Sequence, residues 1–116
     1  MDDQRARALL QAERERVQQL LDQTVAAGRS DRAEANEPGD LTDPAERLTA
    51  EQIDDAVAAG LRDRLAALDR AERRLADGMF GRSIRSGRPI PDDRLEADPA
   101  AELTVDEVEQ AGGDGG

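Results

Sequence analysis

Near its C-terminal end the chain reads FGRSIRSGRPIP at residues 80–91 and LTVDE at residues 103–107. These stretches contain four positions with the spacing C-x2-C…C-x2-C of a zinc finger, occupied here by Ser83, Ser86, Thr104 and Glu107. Zinc binds thiolate, imidazole or carboxylate groups, and only Glu107 supplies one of them. One carboxylate does not make a zinc site. We therefore expect a finger-like module that binds no metal.

The same region resembles the C-terminal module of the DksA/TraR family, which are bacterial regulators that bind RNA polymerase rather than DNA. The resemblance rests on LADGMFG at residues 75–81 and on GRPIPDDRLEADP at residues 87–99. It covers about residues 40–110. It implies an all-α fold, in which an antiparallel two-helix coiled-coil hairpin carries a small C-terminal module. Because all four cysteines are missing, the resemblance implies neither zinc-dependent nor redox-dependent behaviour.

Composition favours a helical hairpin over a thick globular core. The 116 residues include one aromatic side chain, and 37% of them are charged. The narrow seam of a coiled coil needs few large side chains. The net charge of −11 argues against direct binding to nucleic acid or to anionic membranes, because both would repel the chain. It is compatible with a basic protein partner, with mimicry of nucleic acid, or with solubility alone.

Hydrophobic periodicity predicts a first helix over residues 3–27, with Gly28 just beyond its C-terminus. Its apolar stripe is formed by Leu9, Leu10, Val17, Leu20, Leu21 and Val25. The connection over residues 28–48 is long for a helix–helix turn, and residues 31–37 could instead prolong the first helix.

A second helix is predicted from Thr49, which forms a capping box with Gln52, to Asp77, with Gly78 ending it. Its apolar seam consists of Val57, Leu61, Leu65, Leu68 and Leu75. Two such stripes predict an antiparallel hairpin over residues 1–77, with its tip at about residues 28–48.

The predicted module spans residues 78–110 and is followed by a flexible tail, residues 111–116. Without metal, the module has to gain its order by packing on the base of the hairpin. We expect Phe80, Ile90 and Leu95 to make that packing.

The segment DLTDPA at residues 40–45 lies at the predicted tip. The resemblance implies a tip motif, Asp-x-x-Asp-x-Ala, that enters the secondary channel of RNA polymerase, with Asp40, Asp43 and Ala45 as the partner-binding residues. A purely structural alternative is that Asp43 caps a helix whose first residue is Pro44, with Glu46 completing the box. Both interpretations are compatible, because a capped tip is a rigid tip.

Three arginines, Arg82, Arg85 and Arg88, form a basic cluster in this acidic chain. They are a candidate partner-binding surface of the module. The alternative is a solvated loop whose charge balances the acidic residues at 92, 93 and 96.

The chain contains no His, Cys, Lys or Tyr, so acid–base and nucleophilic catalysis have few candidate residues. We expect a non-enzyme without cofactors. No signal peptide or membrane span is visible, and a monomer in the cytoplasm is expected. The predicted function is transcription regulation through the polymerase secondary channel, without specific contact to DNA. The alternatives are a structural adaptor hairpin and a secondary-channel competitor that does not regulate promoters.

Overall fold

The computed structural model describes the backbone of residues 1–35 and 44–114, and the side chains of residues 1–29 and 50–110. This part of the chain contains four helices: α1 (Asp3–Ala35), α2 (Pro44–Ala76), α3 (Asp92–Ala97) and α4 (Val105–Asp114). Its only β pairing is a single bridge between Arg82 and Pro89. The fold class is therefore all-α, as predicted, and α1 and α2 lie in a hairpin-like arrangement. None of the helices in these ranges is long and apolar enough to cross a membrane.

Helix α1 is longer than its periodicity predicted. It continues through Gly28 to Ala35, so the prediction that Gly28 follows its C-terminus is wrong. The alternative, that the residues from Asp31 onward prolong the helix, holds as far as Ala35. A glycine inside a helix costs about 1 kcal/mol relative to alanine. A helix of 33 residues absorbs that cost because each added residue contributes its own hydrogen bond.

Helix α2 begins at Pro44, five residues before the predicted start. Proline is well tolerated at the first position of a helix, since the N–H that it lacks would have no partner there. The capping box predicted at Thr49 and Gln52 is wrong, because both residues lie inside the helix.

The C-terminus of α2 matches the prediction that Gly78 ends it. Gly78 has a φ of 75°, a left-handed conformation that glycine adopts without steric cost. Its N–H donates to the Leu75 carbonyl at 3.1 Å, and the Met79 N–H donates to the Arg74 carbonyl at 2.7 Å. This pair of bonds is a Schellman motif, and it turns the chain from α2 into the C-terminal module.

The described residues divide into two compact units, and the first combines Met1–Arg14 with Ala66–Gly116. Its buried apolar residues are Ala6, Leu10, Leu68, Ala71, Ile90, Leu95, Ala100 and Ala101. Arg14 of α1 forms ion pairs with Asp69 and Glu72 of α2, which joins the two helices inside this unit.

The second unit comprises Glu15–Leu65. Its buried apolar residues are Val17, Leu21 and Ala58. Both helices line a small cavity of about 100 Å³, with Gly28 on the α1 side and Ala58 on the α2 side. Val57 was predicted to lie in the seam, but it is 46% exposed, and the buried position is taken by the adjacent Ala58. The prediction for Val57 is therefore wrong.

The C-terminal residues differ from the flexible tail predicted at 111–116. Helix α4 runs to Asp114, so residues 111–114 are helical. An established helix adds further residues at low cost, and here it continues through two glycines. Residues 115–116 lie outside the described part of the chain.

Candidate functional site

The four positions with zinc-finger spacing share a hydrogen-bond network, in which Ser83 and Glu107 are buried, Thr104 is half-buried and Ser86 is exposed. The Ser83 hydroxyl donates to Oε2 of Glu107 at 2.9 Å, across 24 residues of sequence. The Thr104 N–H donates to Oε1 of Glu107 at 3.0 Å, and the Glu107 N–H donates to the Thr104 hydroxyl at 3.3 Å. Ser83 and Glu107 are only 5% and 6% exposed. Two of the four positions, 83 and 107, are thus in direct contact although 24 residues separate them.

The start of α4 explains the position of Glu107. The reciprocal bonds between Thr104 and Glu107 form a capping box, in which each side chain accepts the backbone N–H of the other residue. Two N–H groups at the helix start thereby gain partners. The box also orients the Glu107 carboxylate so that its second oxygen faces Ser83.

The chain around Ser83 forms a tight hairpin loop. The Ser83 N–H donates to the Arg88 carbonyl at 2.8 Å, and the Gly87 N–H donates back to the Ser83 carbonyl at 3.0 Å. Gly87 has a φ of 75°, which a residue with a side chain adopts only with strain. The Ser83 hydroxyl accepts the N–H groups of Arg85 and Ser86 at 3.1 and 3.2 Å. Ser83 thus connects the inside of this loop to α4.

Hydrogen bonding stabilises the charged form of Glu107. The Ser83 hydroxyl, followed by the Thr104 N–H, lowers the pKa of the Glu107 carboxyl to about 2, although burial acts in the opposite direction. Because a carboxylate accepts hydrogen bonds better than a carboxylic acid does, each donor favours ionisation. Glu107 is therefore ionised throughout the physiological range.

The donor set of this network does not fit zinc. Three of its four side chains, those of Ser83, Ser86 and Thr104, are neutral hydroxyls, which are poor zinc ligands. Both oxygens of the fourth, Glu107, already accept hydrogen bonds. Within the described residues, no three His, Cys, Asp or Glu side chains are placed to hold a metal ion.

An apolar cluster lies beside this network. Ile90, Leu95 and Ala101 are buried together, and Phe80 packs against them. Phe80, Ile90 and Leu95, which were predicted to pack on the base of the hairpin, all belong to this cluster, whose members lie within the module. Their packing on the hairpin stays a prediction. The Ile90 N–H donates to the Gly81 carbonyl at 2.7 Å, which closes the base of the loop next to the cluster.

Ion pairs join this module to the helix segments of the same unit. Glu102 accepts two bonds from Arg70, at 2.9 and 3.1 Å, and one from Arg74 at 3.2 Å. Arg70 and then Arg74 hold the pKa of the Glu102 carboxyl below its ordinary value. Arg5 of α1 likewise donates two hydrogen bonds, from Nε and Nη2, to the two carboxylate oxygens of Glu96 of α3. The sequence analysis did not identify these pairs.

The three arginines of the basic cluster lie on the loop that Ser83 organises. Arg82 pairs through its backbone with Pro89 at the base of the loop, Arg85 lies in the turn, and Arg88 lies on the returning arm next to Pro89. All three side chains are exposed. In the described part of the chain their guanidinium groups make no ion pair.

The structure describes only part of the predicted tip. Asp40 and Asp43 lie outside the described residues. Ala45 is the second residue of α2, and its side chain is likewise outside the described set. The role of all three stays a prediction.

Comparison with known proteins identifies the fold. A solved structure of the transcription factor DksA2 from Pseudomonas aeruginosa superimposes with a TM-score of 0.81, covering 97% of this chain and 84% of that one. The fold is DksA-like. Sequence identity over this match is 26%, and no family model and no curated protein matches the sequence. In this DksA-like chain, hydrogen bonds connect Ser83, Thr104 and Glu107, three of the four positions with zinc-finger spacing.

Proposed function

We propose that this chain is a transcription regulator that binds RNA polymerase through its secondary channel and modulates initiation without specific contact to DNA. The observation that carries the proposal is the match to a transcription factor over 97% of the chain. A match of that extent includes both the helical hairpin and the C-terminal module. The role belongs to the cytoplasm, where the polymerase acts.

The segment between α1 and α2 supplies the regulatory groups in this proposal. It follows Ala35, precedes Pro44, and contains Asp40 and Asp43. Ala45, with its small side chain, is the second residue of α2 and follows Asp43 by two positions in the sequence. Such a tip suits a narrow, cation-lined channel, where a carboxylate gains from nearby charge and a bulky neighbour would be excluded.

The C-terminal module has a supporting role. Because Ser83 and Glu107 are joined directly, the module keeps its order without a metal. Because the chain has no cysteine, thiol oxidation cannot alter the module either. We expect the regulator to act equally well after it has been treated with a chelator or a thiol-oxidising agent and the reagent has been removed before transcription.

The experiment is in vitro transcription with the unaltered chain and with Asp43→Asn, at promoters that form short-lived open complexes. The substitution removes a charge while keeping the shape of the side chain. We expect regulation to be lost and binding to core polymerase to stay largely intact, because the rest of the hairpin and the C-terminal module keep their contacts when one side chain is neutralised. Asp77→Asn, the same change at an exposed position beyond the end of α2, is the control and should regulate normally.

Two results would redirect the proposal. Equal regulation by Asp43→Asn and Asp77→Asn would remove the tip mechanism. Competed binding to polymerase without any promoter effect of the unaltered chain would identify a secondary-channel competitor instead.

A further inference from the structure

A cleft whose two walls carry opposite charges lies between the arginine loop, residues 82–89, and α4. It has a volume of about 560 Å³, enough for several side chains of a partner. One wall is formed by Arg85, Ser86 and Arg88, and the other by Asp106, Glu107, Glu109 and Gln110. The first wall is therefore cationic and the second anionic.

The charges of this cleft do not neutralise one another. In the described part of the chain, Arg85 and Arg88 make no ion pair, and neither do Asp106 and Glu109. Elsewhere in the same unit arginines do meet acids, as Arg70 and Arg74 meet Glu102. The cleft thus holds cations and anions on facing walls with room between them.

Both walls are held in place before any partner arrives. Backbone bonds between Ser83, Gly87 and Arg88 shape the loop, and the buried bond from Ser83 to Glu107 fastens it to α4. A surface that is ordered in advance loses less conformational entropy on binding. The bond between Ser83 and Glu107 therefore also fixes the distance between the two walls.

We propose that this cleft docks a protein segment of RNA polymerase that carries both carboxylates and basic side chains. The carboxylates of the segment face Arg85 and Arg88, and its basic groups face Asp106 and Glu109. The proposal rests on the proposed function and names a second contact surface, separate from the tip. A nucleic acid presents phosphates and no cations, so it would satisfy one wall and be repelled by the other. A purely acidic segment meets the same difficulty. A mixed protein surface satisfies both walls, and such complementarity mainly sets specificity and association rate.

Charge reversal on each wall tests the proposal. The arginine wall is reversed by Arg85→Glu with Arg88→Glu, and its control is Arg7→Glu with Arg73→Glu, two exposed arginines on α1 and α2 with the same change in net charge. The carboxylate wall is reversed by Glu109→Lys, with Asp77→Lys as control. Binding to core polymerase free of nucleic acid is measured at low and high salt, and circular dichroism checks that every variant is folded.

We expect the arginine-wall variant to bind roughly tenfold more weakly at low salt, and Glu109→Lys several-fold more weakly, with both losses shrinking at high salt. Both controls should stay within about twofold of the unaltered chain. Weaker binding by the arginine variant together with stronger binding by Glu109→Lys would overturn the proposal of a partner segment with both signs of charge and indicate a purely anionic segment.

The two proposals fail in different ways. If both wall variants bind like their controls while the unaltered chain binds, the cleft is no contact surface and the proposed function stands. If the unaltered chain does not bind polymerase, both proposals fall.

Discussion

Replacing Ser83 by alanine should loosen the C-terminal module more than any other single hydroxyl deletion in it. The change removes the bond to the Glu107 carboxylate at 2.9 Å and the acceptor of two backbone N–H groups at 3.1 and 3.2 Å. A hydrogen bond to a charged group contributes about 1.5–3 kcal/mol, and a buried carboxylate that loses a donor keeps its desolvation cost. The two N–H groups belong to exposed residues and regain water, so they add little. The expected loss is about 2–3 kcal/mol.

Amide hydrogen exchange measures this loss where it occurs. The reporters are the N–H groups of Ile84 and Ile90, which donate to the carbonyls of Glu102 and Gly81 at 2.8 and 2.7 Å. Since about 1.4 kcal/mol corresponds to a factor of ten, both amides should exchange about 30- to 140-fold faster in Ser83→Ala. Amides in the middle of α1, such as that of Val17, should change far less, because local openings differ between parts of a protein.

Ser86→Ala is the matched control for this prediction. It deletes the same atom three residues away, but the Ser86 hydroxyl is exposed, accepts the Arg88 N–H at 3.3 Å, and contributes least among the hydrogen bonds that lower the pKa of Glu107. Its effect should stay within about 0.5 kcal/mol, as for most surface substitutions. Similar exchange rates for Ile84 and Ile90 in the two variants would refute the argument that the Ser83–Glu107 bond holds the module together.

Three further predictions concern acid, metal and the core. Hydrogen bonds lower the pKa of Glu107 from 4.5 to about 2, so between these pH values the unfolded chain binds more protons than the folded chain. The module should therefore lose stability as the pH falls from about 4.5 towards 2. Urea titrations should show a weaker pH dependence of stability for Glu107→Gln than for the unaltered chain. A variant with cysteine at all four finger positions should bind one Co²⁺ with thiolate charge-transfer absorption, and no stoichiometric binding would show that the four positions do not converge. The unaltered chain should melt at the same temperature with and without EDTA. Leu68→Ala should cost about 2–5 kcal/mol in thermal unfolding because Leu68 is fully buried, whereas Leu20→Ala, at a residue 37% exposed, should cost much less.

The helices were largely predictable because burying an apolar stripe leaves a periodic trace in the sequence. Leu10, Val17, Leu21 and Leu68 were assigned to the seam and are buried. The helix ends were harder, because end signals are local and weak. Gly28 resembled a terminator, yet α1 continues past it, since one glycine costs less than a long helix gains by continuing.

The spacing drew attention to positions 83, 86, 104 and 107 but did not determine their chemistry. Ser83, Thr104 and Glu107 share one hydrogen-bond network, and the Ser86 N–H donates to the Ser83 hydroxyl. Nothing in the spacing showed that Ser83 would donate directly to Glu107, or that a capping box would hold the carboxylate in place. The ion pairs between distant residues could not be predicted from the sequence either. Arg5 and Glu96 are 91 residues apart, and periodicity within one helix carries no information about such partners.

The most direct test of the proposed function is binding of the unaltered chain to core RNA polymerase from a GC-rich bacterium, with a known secondary-channel factor as competitor. The DksA-like fold and the acidic tip sequence predict saturable binding that the competitor displaces. Binding that the competitor leaves unchanged would contradict the secondary channel as the site. An absence of binding would contradict the polymerase as partner and leave an acidic helical hairpin whose partner has to be sought elsewhere.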